Sequence, residues 1–217
     1  MKKIIPFAFL ILIIFKNSTG QSLWVQTGLS YTTAEYKYQD HVLLDDETFK
    51  PRFQIGMMTE FPVTPIFSVT PGLIFQTKGY YQSFKLSDSK ISSGRDLKIC
   101  YLDIPVLLNL KIPFDKFGFF VEMGPYAGIG LSGTAKYYEN THETYTEKDK
   151  VKWGKDGDMK RMEYGIMGGA GAEISRFKLG LSYTHSMRDV AVPDDFVHKN
   201  RVLTVFVSYA VLRSPKK

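Results

Sequence analysis

The feature that most limits what this chain can become is a period-two alternation of apolar and polar residues that returns eight times after residue 21. In the last instance Leu203, Val205, Val207, Tyr209 and Val211 share one face, and Thr204, Phe206, Ser208 and Ala210 the other. Successive strand side chains point to opposite sides, so each such segment predicts a strand with one apolar face. The same pattern places Phe177, Leu179, Leu181 and Tyr183 against Lys178, Gly180, Ser182 and Thr184. Further instances begin near Leu23, Phe53, Phe67, Leu102, Phe117 and Met162. Phe and Tyr supply 29 residues spread along the chain, which suits strands.

The connections alternate as strictly as the residues. Pro62 to Pro65, Pro113 to Lys116 and Ser175-Arg176 are tight turns, whereas Thr32 to Lys50, Phe84 to Asp96, Thr134 to Lys160 and Arg188 to Lys199 are long, polar and charged. All long connections therefore fall at one end of an antiparallel meander. Eleven residues from Val202 to Leu212 reach roughly 36 Å, and a tilt of about 40° leaves about 27 Å of height. These observations predict an all-β fold, an eight-stranded antiparallel up-and-down transmembrane β-barrel with short turns at one end and long external loops at the other.

The first residues have another purpose. Lys2 and Lys3 precede an apolar run from Ile4 to Phe15 broken only by Pro6, and small residues follow at Ser18 and Gly20. This reads as a signal peptide over residues 1–20, cleaved between Gly20 and Gln21, leaving residues 21–217 as the barrel domain. The run is too short to span a bilayer as a helix. Taking the three lysines of this segment from the formal charge of +6 leaves about +3, and no basic stripe survives to suggest nucleic acid. A single cysteine, Cys100, rules out an internal disulfide.

Alternation alone does not separate a membrane barrel from a soluble lipocalin-like calyx with its apolar face inward. The polar face is more informative. It carries Gly118, Gly124, Gly128 and Gly130 in one segment and Gly165, Gly169 and Gly171 in another. That makes a poor solvent surface and a good crowded interior. It also carries mixed charges: Arg52, Glu60, Lys78, Asp103, Lys111, Glu122, Glu163, Glu173 and Lys178. Buried charges need partners, so these nine are expected to form a polar network across a lumen that eight strands leave only wide enough for side chains. The calyx also lacks support at its start, where Gln21-Ser22-Leu23-Trp24-Val25 offers no G-x-W.

Tyr101-Leu102-Asp103-Ile104-Pro105-Val106-Leu107-Leu108-Asn109, Gly124-Pro125-Tyr126-Ala127-Gly128 and Gly168-Gly169-Ala170-Gly171-Ala172-Glu173, followed by Leu181-Ser182-Tyr183, resemble the PorT-like outer-membrane β-barrel family common in Bacteroidetes. The resemblance implies an eight-stranded barrel in the outer membrane, with a role structural, adhesive or accessory to secretion or envelope assembly. The chain departs from better-known outer-membrane barrels in ending Arg213-Ser214-Pro215-Lys216-Lys217 rather than on an aromatic residue.

Little else in the chain points to chemistry. Gly128-Ile129-Gly130-Leu131-Ser132-Gly133 matches G-x-G-x-x-G, but no amphipathic helix follows, so no nucleotide is expected. Gly128 and Gly130 fall on the polar face and Gly133 on the other. A rim site built from His185, Ser186, Asp189, Asp194, Asp195 and His198 has no spacing that fixes a geometry. His41, His142, His185 and His198 lack metal-ligand spacing, and Asp156-Gly157-Asp158 reads as solvated loop charge. No catalytic residue, cofactor or metal is therefore expected. Outer-membrane lipid is the expected surrounding of a monomer, and a protein partner is expected at the long loops. Tyr137, Tyr138, Tyr145 and Trp153 in the longest loop either form a recognition surface or pack on their own barrel.

Overall fold

The computed structural model describes residues 21–38, 41–42, 47–48, 50–85, 92–139, 145–154, 156–192 and 196–213. Residues 1–20, read as a signal peptide ending at Gly20, lie outside that set, which begins at Gln21. Eight long strands occur among the described residues: β1 (Ser22–Tyr38), β2 (Lys50–Pro62), β3 (Phe67–Lys78), β4 (Ser92–Pro113), β5 (Gly118–Glu139), β6 (Met162–Ile174), β7 (Phe177–Ser186) and β8 (Phe196–Leu212). Each pairs antiparallel with its neighbour in sequence. β1 then pairs with β8 from Leu23 opposite Leu212 to Tyr38 opposite Phe196, which closes the sheet into a barrel with no free edge.

The register puts the apolar side chains outside. Val205, Val207 and Tyr209 of β8, Leu179 and Leu181 of β7, and Val106 and Leu108 of β4 all stand exposed, while Thr204, Phe206, Ser208 and Ala210 are buried. An apolar wall around a polar, filled interior is the arrangement of a barrel in lipid. A calyx would need the opposite sense. Rings gather where the wall meets the tight-turn end: Phe114 and Phe117 stack at 5.0 Å, and Phe119 meets both edge-on at 5.8 and 5.4 Å. Aromatic residues favour such interfaces because they present an apolar body and tolerate the headgroup region.

The tight turns follow from local chemistry. Val63 N–H and Thr64 N–H both donate to the Phe67 carbonyl, and Phe67 N–H donates back to Thr64 Oγ1. Among the described residues Ser175 is the non-glycine that carries a left-handed φ, 53°, as a two-residue hairpin requires at its first position.

Four strands run further than hydropathy suggests. β1 continues to Tyr38, β4 begins at Ser92, β5 reaches Glu139 and β8 begins at Phe196, through segments that read as loops. Beyond the bilayer the outward face meets water and turns polar, while inward residues such as Leu97, Ala135 and His198 stay buried, so the apolar-outward alternation disappears while backbone pairing continues. Twenty-two residues in each of β4 and β5 exceed the roughly 11 needed to cross a membrane, so both project well beyond it. A short strand, Tyr145–Lys150, folds back along β5 there.

Leu181 stands exposed at mid-strand on the outer wall. Leu181→Arg should lower stability by about 2–4 kcal/mol in lipid vesicles, measured by urea unfolding. A neutral effect would contradict a lipid-facing wall.

Candidate functional site: the filled lumen and its loop cap

All nine charged residues named from the polar face point inward, and they divide into separate groups. The first lies toward the tight-turn end. Lys111 Nζ sits 2.6 Å from Glu60 Oε1 and 2.8 Å from Glu173 Oε2. Lys178 Nζ is 3.0 Å from Glu60 Oε2, and Arg213 donates to Glu173 at 2.8 Å. Glu122 accepts from Asn109 Nδ2 at 3.3 Å. Trp24 anchors this group: its indole N–H donates to Glu60 Oε2 at 3.1 Å, and Lys178 lies 4.2 Å over its ring. Three cations therefore meet three carboxylates.

The second group lies deeper and is fully buried. Lys78 Nζ bridges Asp103 Oδ1 at 3.1 Å and Glu163 Oε1 at 2.8 Å, and none of the three side chains is exposed. Tyr126 O–H also donates to Glu163, and Asn200 Nδ2 donates to its other oxygen at 2.6 Å. His198 continues the chain, with Nε2 3.0 Å from Asn200 Oδ1. Nearer the loops, Arg52 stands apart from both groups and pairs with Asp96, also donating to the Leu97 carbonyl at 3.2 Å.

An apolar plug separates the two groups. Met58, Ile74, Leu107, Tyr126, Met167, Trp24 and Ala210 form one buried cluster. Along β4, Leu107 falls between Asp103 and Lys111; along β6, Met167 falls between Glu163 and Glu173. Trp24 reaches from this cluster to Glu60, and Tyr126 reaches the other way to Glu163. No chain of hydrogen bonds connects the groups across it among the described residues.

A second apolar layer caps the lumen at the loop end. Ile99, Tyr101, Leu97, Ala135, Tyr80, Met159 and Val190 are buried together, with Val151 and Trp153 packed on them. Residues 151–154 and 156–161 lie across the mouth, held by Val151 N–H to the Gly133 carbonyl at 3.0 Å, Gly130 N–H to the Arg161 carbonyl at 2.7 Å, and Lys160 N–H to the Val190 carbonyl at 2.8 Å. Trp153 meets Tyr101 edge-on at 6.3 Å.

The GIGLSG glycines serve this packing. A Cβ on Gly128 would stand 2.5 Å from Asp103 Oδ1, and one on Gly130 would fall 2.2–2.9 Å from three atoms of the Trp153 ring. Gly133 is not on the outer face, as simple alternation places it. Cys100 opposes Ser132 and Tyr101 opposes Gly130, so Leu131 is an extra residue, and this bulge reverses the phase above it. A Cβ on Gly133 would stand 2.6 Å from Val151. β5 continues as a strand through all three glycines, with no helix start for a phosphate.

The rim residues do not assemble. His185 and Ser186 are neighbours on β7 and point to opposite faces; His185 stacks on Tyr183, whereas buried Ser186 donates to the Arg188 carbonyl at 3.0 Å. Asp189 Oδ1 accepts the backbone N–H groups of Ala191 and His198. His198 is a buried strand residue rather than a loop residue. Asp194 and Asp195 lie outside the described residues. Asp158 Oδ2 accepts the Lys152 N–H at 2.8 Å, and no group of three metal-ligating side chains converges among the described residues. Trp153 packs on its own barrel, whereas Tyr137 stays partly exposed with Arg95 5.6 Å over its ring. The side chains of Tyr138 and Tyr145 lie outside the described set. A cavity of about 250 Å³ remains beside the cap, lined by Tyr80, Arg95, Leu97, Tyr137, Met159 and His198 among others.

Trp24, Asn109 and Asn200 join the network without having been singled out from the sequence. Their phase on the strands carried that signal, because each shares parity with an inward charge or small polar residue. Arg213, beyond the last strand, carried none.

Removing Lys78 would leave two carboxylates buried without a cation, so Lys78→Met should cost about 3–5 kcal/mol. Asp103→Asn leaves Lys78 paired one-to-one with Glu163 and should cost clearly less; urea titration of both variants checks the order. Above the lipid-facing band, burial holds the His198 imidazole below the ordinary histidine range, against upward pulls from its bond to Asn200 and from the Glu163 carboxylate. The unfolded chain takes up this proton near pH 6.5 while the folded one resists it, so the stability is complete above about pH 6.5 and falls as pH drops below it. His198→Gln should remove up to about 1.4 kcal/mol per pH unit from that slope between roughly pH 6.5 and 5.5, read from denaturation midpoints.

A family model described as outer membrane protein beta-barrel domain matches residues 17–192. No curated protein matches the chain in sequence. Among solved structures the chain is similar to Ail, the attachment invasion locus protein of Yersinia pestis, at 16% identity and a TM-score of 0.40, covering 89% of this chain and 99% of that one. It is similar to OprG of Pseudomonas aeruginosa at 11% identity and 0.41, covering 89% and 95%. Neisserial surface protein A matches at 10% identity and 0.42, covering 88% and 98%.

Proposed function

The chain belongs to the outer membrane protein β-barrel domain family and resides in the outer membrane, and from that premise we propose that it is a sealed, non-catalytic barrel that engages a protein partner through its long-loop end. The observation that carries this reading is the projection of β4 and β5, each 22 residues long, well past the apolar band. A barrel that served only to fill lipid would end where the bilayer ends. The projecting wall displays Tyr137 and Arg95 beside the mouth cavity, the mix of aromatic and arginine chemistry that protein interfaces favour. Adhesion and accessory work in secretion or envelope assembly both need such a surface; the PorT-like motifs favour the second.

The sealed lumen supports the rest. Among the described residues two apolar layers cross the axis, one between the ion-pair groups and one above them, which argues against a pore. The opposed faces of His185 and Ser186 argue against a rim hydrolase.

A photo-crosslinking residue at Tyr137 should capture a second protein in intact cells, and one at Lys116 on a tight turn should not. Capture only from Lys116 would move the working surface to the other end. Purified protein in planar bilayers should give no steady conductance.

A further inference from the structure

Where the loop cap meets the outer wall, three cations face a shallow cleft of about 310 Å³ lined by Gly154, Lys160, Arg161, Met162, Arg188 and Val192. Arg161 lies 5.6 Å over the Trp153 ring, and Arg188 lies 5.9 Å over the ring of Tyr164. Neither arginine has a carboxylate within ion-pairing distance among the described residues. Lys160 reaches one only loosely, Asp189 at 3.8 Å. Each guanidinium thus lies over an aromatic face, and both arginines line the cleft.

The floor of the cleft runs directly into the apolar wall. Met162, Tyr164 and Ile166 descend from it along β6, all exposed outward. Arg201 on β8, just above Leu203, and Lys98 on β4 stand at the same boundary on the outward face. The cleft therefore sits at headgroup depth on the loop side, with an acyl-chain surface immediately below it.

We propose that this cleft binds the phosphate of an anionic outer-leaflet lipid, with Arg161, Arg188 and Lys160 holding the headgroup and Met162, Tyr164 and Ile166 contacting its chains. Arginine suits this use because its planar donors match phosphate oxygens two at a time. Low polarity beside the bilayer strengthens each contact relative to water. The site depends on the barrel's place in the outer membrane and is independent of the protein-partner reading.

The purified barrel, exchanged into detergent with equal amounts of phosphatidic acid and phosphatidylcholine, should retain phosphatidic acid preferentially in native mass spectrometry. Arg161→Gln with Arg188→Gln should weaken that retention roughly thirtyfold. Lys116→Gln with Arg176→Gln, which removes equal charge at the tight-turn end, should leave retention unchanged. The heat-dependent gel shift shows that each variant has folded. Equal retention of the two lipids by the unaltered barrel would overturn the proposal. So would an equal loss in the tight-turn variant, which would mark bulk charge. Complete displacement of the lipid by inorganic phosphate would overturn it too, by showing a free-phosphate site instead.

Discussion

Closure of the sheet by β1 against β8 is the interaction on which everything else in this barrel depends. Inside a bilayer each unpaired backbone N–H or carbonyl costs several kcal/mol, so a sheet survives there only with no edge. Eight strands closed in this way leave an interior no wider than the side chains pointing into it. From that width follow the dense lumen, the glycines at points of contact and the pairing of each of the nine named inward charges with a neighbour. Gly171 and Gly180, for example, face the tip of Phe120 at distances where no Cβ fits easily.

The lumen is layered rather than uniformly polar. Ion pairs around Glu60 and around Lys78 alternate with the Met58–Ile74–Leu107–Met167 plug and the Trp153 cap. Buried ion pairs stabilise little compared with well-packed apolar residues. Their presence here has another physical cause: the inner face must differ in polarity from the lipid face so that only one register and one sidedness satisfy the strand. The two groups also differ in balance. Three cations meet three carboxylates at the tight-turn end, whereas Lys78 alone answers Asp103 and Glu163, which leaves the deeper group the more sensitive to loss of a single side chain.

Much of this was legible in the chain. The eight strands, their order, the ends at which turns and loops fall, and the inward orientation of Arg52, Glu60, Lys78, Asp103, Lys111, Glu122, Glu163, Glu173 and Lys178 all follow from a period of two and the spacing of connections. Less legible were the strand ends, because above the bilayer hydropathy no longer marks which side a residue faces. His198 illustrates this: it reads as a loop residue and is a buried strand residue bonded to Asn200. Gly133 illustrates a second limit, since one extra residue at Leu131 reverses the parity beyond it, and a bulge leaves no mark in hydropathy.

Sequence by itself determined the class of the molecule, an all-β barrel with an apolar outer wall, because strand periodicity is a local property that each segment displays on its own. It also determined which residues of the membrane-crossing spans are inside, because parity within an unbroken strand needs no knowledge of neighbours. Only the tertiary structure decided who pairs with whom: that Lys78 bridges Asp103 and Glu163, that Trp24 joins Glu60 and Lys178, that Trp153 closes the mouth against Gly130, and that Arg161 and Arg188 converge beside the lipid wall. Those contacts join segments far apart in sequence; Lys178 and Glu60, for instance, are 118 residues apart. They depend on strand stagger and closure, which are properties of the whole ring and of no single strand.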